Sequence, residues 1–165
     1  MPCQRWRTDR GGEINTVNFS KITDNLYIGT TPKKGDYELL HELGVNLVIN
    51  MRIGVPPRRD PHSSPLRTIW LPTIDSPISP IPMFFINIGV KEALKVMKKG
   101  GVVYTHCSKG RHRGPAMGAC ILIAQGMTPE NAMDLIKQQR PVSDLQAWYI
   151  HRRIVRFARE WDGNG

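Results

Sequence analysis

The 165-residue chain reads as a single α/β domain: a central, mostly parallel sheet of four to five strands with helices on both faces. Three observations predict this. Val45–Met51 and Val102–His106 are short, nearly continuous apolar runs, as strands buried on both faces require. Such runs alternate with stretches of helical periodicity, the order of a parallel sheet with crossover helices. The length suits one core and is short for two.

The elements follow in order. Residues 1–18 carry Arg5, Arg7 and Arg10 with little apolar periodicity, so a basic, loosely ordered arm is expected there, with the domain proper over 19–162. Asp24-Asn25 is turn chemistry ahead of a short strand ending at Gly29. Gly35–Leu43 is a short amphipathic helix with Leu39, Leu40 and Leu43 inward, stopped by Gly44. After the strand Val45–Met51 comes the least regular part, Arg52–Arg67, with four prolines and the pair Arg58-Arg59. It suits a solvated loop.

Thr68–Leu71 is another short strand, and Asp75 follows in a loop between Pro72 and Pro77. Phe84–Lys98 suits a helix with Phe85, Ile86, Val90, Ala93, Leu94 and Met97 inward, ended by Gly100. Pro115–Ala124 is apolar all round, a buried central helix. Thr128-Pro129 opens the next helix as N-cap and first residue, to about Gln139, where Arg140-Pro141 breaks it. Ser143-Asp144-Leu145-Gln146 has capping-box form and is expected to start a last helix to about Trp161, with Gln146 capping.

The chemistry concentrates in Val102–Gly114. A strand ends at Cys107, a glycine-containing basic segment follows, and a helix begins. Loop amides and a helix N-terminus together form an anion site. They also favour the thiolate, the nucleophilic form of Cys107. With five residues between it and Cys107, Arg113 offers a rigid fork for two phosphate oxygens. Gly110 lets the backbone turn tightly. Charges between two apolar elements are costly without an anion to bind.

His106, Cys107, Gly110 and Arg113 match the His-Cys-x-x-Gly-x-x-Arg signature, and the segment resembles the phosphate loop of the cysteine-dependent protein tyrosine phosphatases, dual-specificity type. Asn25-Leu26-Tyr27-Ile28-Gly29 resembles that group's opening strand. The likeness covers residues ~20 to ~160. It implies Cys107 as nucleophile, Arg113 as transition-state clamp and Asp75 as general acid, at a comparable position before the loop. It implies a substrate cradle of Ser108, Lys109, Gly110, Arg111, His112 and Arg113, with His106 and Gly114 in support, and offers Arg58 and Arg59 a second phosphate as the alternative to a solvated loop. The Lys-Gly-Arg-His-Arg core resembles the atypical members that act on inositol pyrophosphates. One position departs from the pattern: Gly114 stands where a Ser or Thr normally helps the thiolate leave.

The implied function is hydrolysis of phosphate monoesters on proteins (phosphotyrosine, phosphoserine or phosphothreonine) through a thiophosphate. Inositol phosphates, phosphoinositides or RNA 5′-phosphates are the alternative substrates. A non-catalytic phosphate-binding module is the alternative of another class, motivated by Gly114. A formal charge of +9 points to an anionic partner, with nucleic acid or anionic lipid less favoured. No cofactor is expected. Neither is a metal, because no His/Cys/Asp group has ligand spacing along the chain. No apolar run approaches the ~20 residues of a membrane span. The N-terminal residues have no apolar signal core, and three cysteines make no disulfide framework, so a cytoplasmic protein is expected. Cys120 is read as a core residue.

Overall fold

The computed structural model describes residues 17–161; the expected basic arm, with Arg5, Arg7 and Arg10, lies outside them apart from residues 17 and 18. Five strands, β1 (Phe19–Thr23), β2 (Leu26–Thr30), β3 (Val45–Arg52), β4 (Arg67–Thr73) and β5 (Val102–Cys107), form one sheet in the order β1-β2-β5-β3-β4. Four strands run parallel, and β1 pairs antiparallel with β2. The helices are α1 (Asp36–Glu42), α2 (Met83–Met97), α3 (Arg113–Ala124), α4 (Pro129–Gln139) and α5 (Trp148–Glu160).

Side-chain alternation divides the sheet into two unequal faces. Leu26, Ile28, Leu47, Ile49, Met51 and Val103 join α2, α3, α4 and α5 in the large core. Their neighbours Tyr27, Val48 and Tyr104 face the other way, where α1 supplies Tyr37 and Leu40. Helices do cover both faces, four on one and one on the other. The apolar strand runs arise because both faces are covered.

Two expectations change. Asp24-Asn25 is the turn of a hairpin, so the chain before it is a strand in its own right: Phe19 pairs with Gly29 and Lys21 with Tyr27. The Ser143–Gln146 capping box does not form. Ser143 Oγ donates backward to the Arg140 carbonyl (2.7 Å), and Asp144 Oδ1 accepts from the Ala147 amide (3.2 Å). The last helix therefore starts at Trp148, with Gln146 exposed ahead of it. Thr128 does cap α4, accepting from the Asn131 amide at 3.2 Å.

The β3–β4 loop, exposed over most of its length as a solvated loop is, is tied down at one buried residue. Asp60 is buried and accepts from the amides of His62 (3.0 Å) and Leu66 (2.7 Å). The rings of His41 and His62 also meet it, at 2.8 and 2.6 Å. These three residues place possible metal-ligand atoms within 4.8 Å of one another, a grouping that sequence spacing does not reveal. His62 Nε2 reaches Glu38 at 2.9 Å, so the cluster pins the loop to α1. Arg58 and Arg59 are exposed on this loop, and the Arg58 carbonyl accepts from Tyr37.

Candidate active site

β5 is the central strand, flanked by β2 and β3, and it ends at Cys107, which is 2% exposed. The chain then turns through residues 108–112 into α3. The turn depends on Gly110, whose φ of +58° is the left-handed region open to glycine. A Cβ there would also lie 2.4 Å from Arg140 Nη2 and 2.7 Å from the Gly29 carbonyl oxygen.

Four loop carbonyls are held by groups outside the loop. Thr31 Oγ1 donates to the Cys107 carbonyl (3.3 Å), and Arg140 donates from Nη2 to Lys109 (3.4 Å) and from Nε to Gly110 (2.6 Å). The Asp144 amide donates to the Arg111 carbonyl (2.9 Å). In a trans peptide the N–H points opposite to the C=O. The amides of Ser108, Gly110, Arg111 and His112 are therefore turned away from these anchors. Turned this way, they can act as donors to an oxyanion at the start of α3.

Arg140 is the part of this scaffold that the sequence reading missed, treating it as a helix breaker. It is fully buried and also donates to Asn18 Oδ1 (3.0 Å) and Ser20 Oγ (3.3 Å). A guanidinium can serve several carbonyls at once because its donors are fixed in one plane. Its partners Gly110, Asn18 and Ser20 lie 30, 122 and 120 residues from Arg140 along the chain, so no neighbouring residues mark it in the sequence.

Arg113 opens α3 and is 7% exposed. Its Nη1 donates to the Met51 carbonyl (3.1 Å) and to that of Thr73, the ends of β3 and β4. Its Nε is buried with no hydrogen-bond partner. Such a donor is costly unless an acceptor arrives. Asp75 Oδ2 stands 4.0 Å from it.

Asp75 thus reaches the loop, 37 residues from His112 in sequence and 2.9 Å from its Nδ1. Its other oxygen accepts from the Tyr149 hydroxyl at 2.8 Å. Burial and then the hydrogen bond to Asp75 push the Tyr149 phenol up to about 12, so it stays a donor at neutral pH. Tyr149 is a second residue the sequence reading missed. His112, expected in the substrate cradle, lies between Asp75 and Asp144 Oδ2 (3.8 Å from Nε2). Lys109 and Arg111 are exposed, and Arg111 approaches Asp144 at 3.4 Å.

His106 is buried behind the loop. Burial pushes its pKa down to about 3, with Arg52 adding to the shift, so the ring is neutral, and its Nδ1 has no partner. Gly114 is buried, and its φ is not in the left-handed region. The constraint is space: a Cβ would lie 3.2 Å from His106 Cα and 3.3 Å from the Cys107 nitrogen. Thr105 Oγ1 fixes the same turn by donating to the Gly114 carbonyl at 3.0 Å. Cys120 is fully buried in α3, and burial pushes its thiol up, as expected of a core residue.

No protein-family profile matches the chain. It is 27% identical over 132 residues to mouse dual specificity protein phosphatase 14, covering 79% of this chain and 64% of that protein. The chain thus spans just under two thirds of that relative's length. Its fold is similar to the crystal structure of a mouse putative dual specificity phosphatase complexed with zinc tungstate. There the TM-score is 0.79 at 21% identity, over 92% of this chain and 93% of that one. It is also similar to PTPMT1 in complex with PI(5)P, with a TM-score of 0.74 at 25% identity over 86% and 95% of the two chains.

Proposed function

We propose that this chain, an atypical dual-specificity-type member of the cysteine-dependent protein tyrosine phosphatase superfamily, hydrolyses phosphate monoesters through a thiophosphate on Cys107. The observation that carries the reading is the unpartnered, buried Arg113 Nε between the Cys107 loop and Asp75. An equatorial phosphate oxygen supplies the acceptor that this donor lacks.

The Cys107 thiolate attacks phosphorus in line, and the phosphorus–oxygen bond to the leaving group breaks. The amides of Ser108, Gly110, Arg111 and His112, with Arg113, hold the equatorial oxygens as charge redistributes. Asp75 gives its proton to the departing oxygen. Its carboxylate then takes a proton from the water that attacks phosphorus, and the sulfur–phosphorus bond breaks. Asp75 ends protonated and Cys107 ends as thiolate, ready for another cycle. His112 and Tyr149 position Asp75. Lys109 and Arg111 meet the substrate beyond its phosphate, and His106 backs the loop as a neutral ring.

Phosphorylated proteins are the proposed substrates. Phosphoinositides are the alternative, favoured by the likeness to PTPMT1, whose solved complex holds PI(5)P. A cytoplasmic location rests on the sequence expectations above; among the described residues no helix is long and apolar enough to cross a membrane.

Release of p-nitrophenol from p-nitrophenyl phosphate tests the reading. Cys107→Ser is expected to abolish it while keeping the fold and vanadate binding. Vanadate is expected to inhibit and EDTA to leave the rate unchanged. Activity that survives in Cys107→Ser, or is lost to EDTA, overturns the cysteine mechanism. No turnover by the parent protein, with phosphate binding retained, supports the non-catalytic module that Gly114 motivates.

A further inference from the structure

A groove of about 480 Å³ opens beside the Asp75–Tyr149 pair. Tyr149, the side chain that holds Asp75, lines it. One wall is the segment that follows Asp75, with Ile78 between Pro77 and Pro80; the other is α5. The Asp75–Tyr149 pair thus joins this groove to the Cys107 loop, within reach of a substrate anchored there by its phosphate.

The α5 wall is crowded with positive charge. Arg152, Arg156 and Arg159 recur at helical spacing along it, with Arg153 beside them. Among the described residues only Arg156 has a carboxylate partner, Glu160 at 2.6 Å. Partial burial, then the neighbouring Arg156 and Arg152, lower the pKa of Arg153, with Glu160 acting the other way. The groove also carries apolar surface that none of the described residues covers. Ile78 is 94% exposed on a proline-stiffened loop and Trp148 is 60% exposed. Apolar side chains left out on a rigid rim mark a contact site.

Charge and apolar surface together select the ligand. A lone phosphate is too small for the volume. An inositol polyphosphate would satisfy the arginines but has no hydrocarbon to cover Ile78. An extended peptide with carboxylates and aliphatic side chains meets both requirements. We propose that this groove binds an acidic, aliphatic-containing segment next to the phosphorylated residue of a phosphoprotein substrate. Arg152 and Arg156 pair with its carboxylates, while Ile78 and Trp148 cover its apolar side chains. The proposal rests on the phosphatase reading of the Cys107 site and names its substrate class.

Two phosphotyrosine peptides test it, one flanked by Glu, Asp and Leu, the other by Ser and Gly. The ratio of kcat/KM for the acidic peptide to that for p-nitrophenyl phosphate is expected to exceed the ratio for the neutral peptide by ~10-fold at low salt, and to shrink as salt screens the pairs. Arg152→Glu with Arg156→Glu is expected to erase that preference, and Ile78→Ser to reduce it. Fluorescence polarisation of the labelled peptides on Cys107→Ser repeats the comparison without turnover, so a failure of the chemistry is separable from a failure of the groove. Equal behaviour of the two peptides in both measurements overturns the proposal, as does a preference that survives charge reversal. Tighter binding of a 5′-phosphorylated RNA oligonucleotide or of phosphatidylinositol phosphate vesicles, lost in the same double variant, overturns it in favour of that ligand.

Discussion

The Tyr149 hydroxyl donates to Asp75 Oδ1 across 2.8 Å, joining residues 74 positions apart. Asp75 sits on a loop and is 31% exposed, so its aim depends on what holds it. Tyr149 comes from the first turn of α5, whose Ile150, Ile154 and Phe157 are buried in the core. The core thus fixes the phenol, and the phenol fixes the acid. Tyr149→Phe removes the hydrogen bond and keeps the ring. Hydrolysis of substrates with poor leaving groups is expected to slow by ~3–10-fold, the worth of one hydrogen bond. Asp75→Asn should slow it by ~10²–10⁴-fold, as loss of a general acid does. For p-nitrophenyl phosphate, whose leaving group needs little protonation, both losses should be smaller. Steady-state kinetics on an alkyl and an aryl phosphate check this; equal losses on both would sink the acid role.

Arg140 supports the loop through the Gly110 and Lys109 carbonyls. Arg140→Met leaves those carbonyls short of donors in a buried place, at a cost of about 1–3 kcal/mol for each. A lower Tm and weaker vanadate binding are expected together. Arg140→Lys should not rescue them, since one ammonium cannot span carbonyls, Asn18 and Ser20 at once. Vanadate affinity unchanged in the methionine variant would show that the loop holds its shape unaided.

Gly114 separates two effects that can be measured apart. A Cβ there must push His106 and Cys107 backbone by a few tenths of an ångström, so Gly114→Ala and Gly114→Ser are both expected to lower Tm. Only serine returns a hydroxyl to help the thiolate leave. With slow thiophosphate breakdown the parent shows a product burst in rapid-quench kinetics. Serine should shrink that burst relative to alanine. Equal bursts in the two variants would mean that another group has taken over the hydroxyl's work.

The Asp60 cluster gives stability a pH dependence. Hydrogen bonds to Glu38 and then Asp60 raise the His62 pKa above its ordinary value. A raised pKa favours the folded state fully below the unfolded value, near 6.5, and that contribution fades as pH climbs through the folded value. The Tm difference between the parent and His62→Gln should therefore be largest near pH 5.5 and smallest above pH 8. Thermal unfolding at three pH values checks this, and a difference that grows with pH would contradict it.

The core of the site was legible because it is local. Strand, cysteine, glycine turn, arginine and helix lie within thirteen consecutive residues, Val102–Gly114, where hydrophobic runs and turn chemistry act directly on neighbours. The parallel sheet was legible for the same reason, since burial on both faces writes itself into each strand. The capping box failed because Ser143 Oγ turns back to the Arg140 carbonyl three residues earlier, a local competitor that the capping-box pattern does not exclude.

By itself, then, the sequence determined the strand–loop–helix unit, the order of elements from β2 onward and the spacing of Cys107 and Arg113. Tertiary structure alone decided what surrounds them. Thr31 reaches the Cys107 carbonyl from 76 residues away, Arg140 the Gly110 carbonyl from 30, and Tyr149 reaches Asp75 from 74. The loop takes Asp60 and His62 to His41. These contacts depend on which helix lands on which end of the sheet, and on the direction each side chain takes from it. Packing of the whole core sets both, and no window of neighbouring residues contains that information.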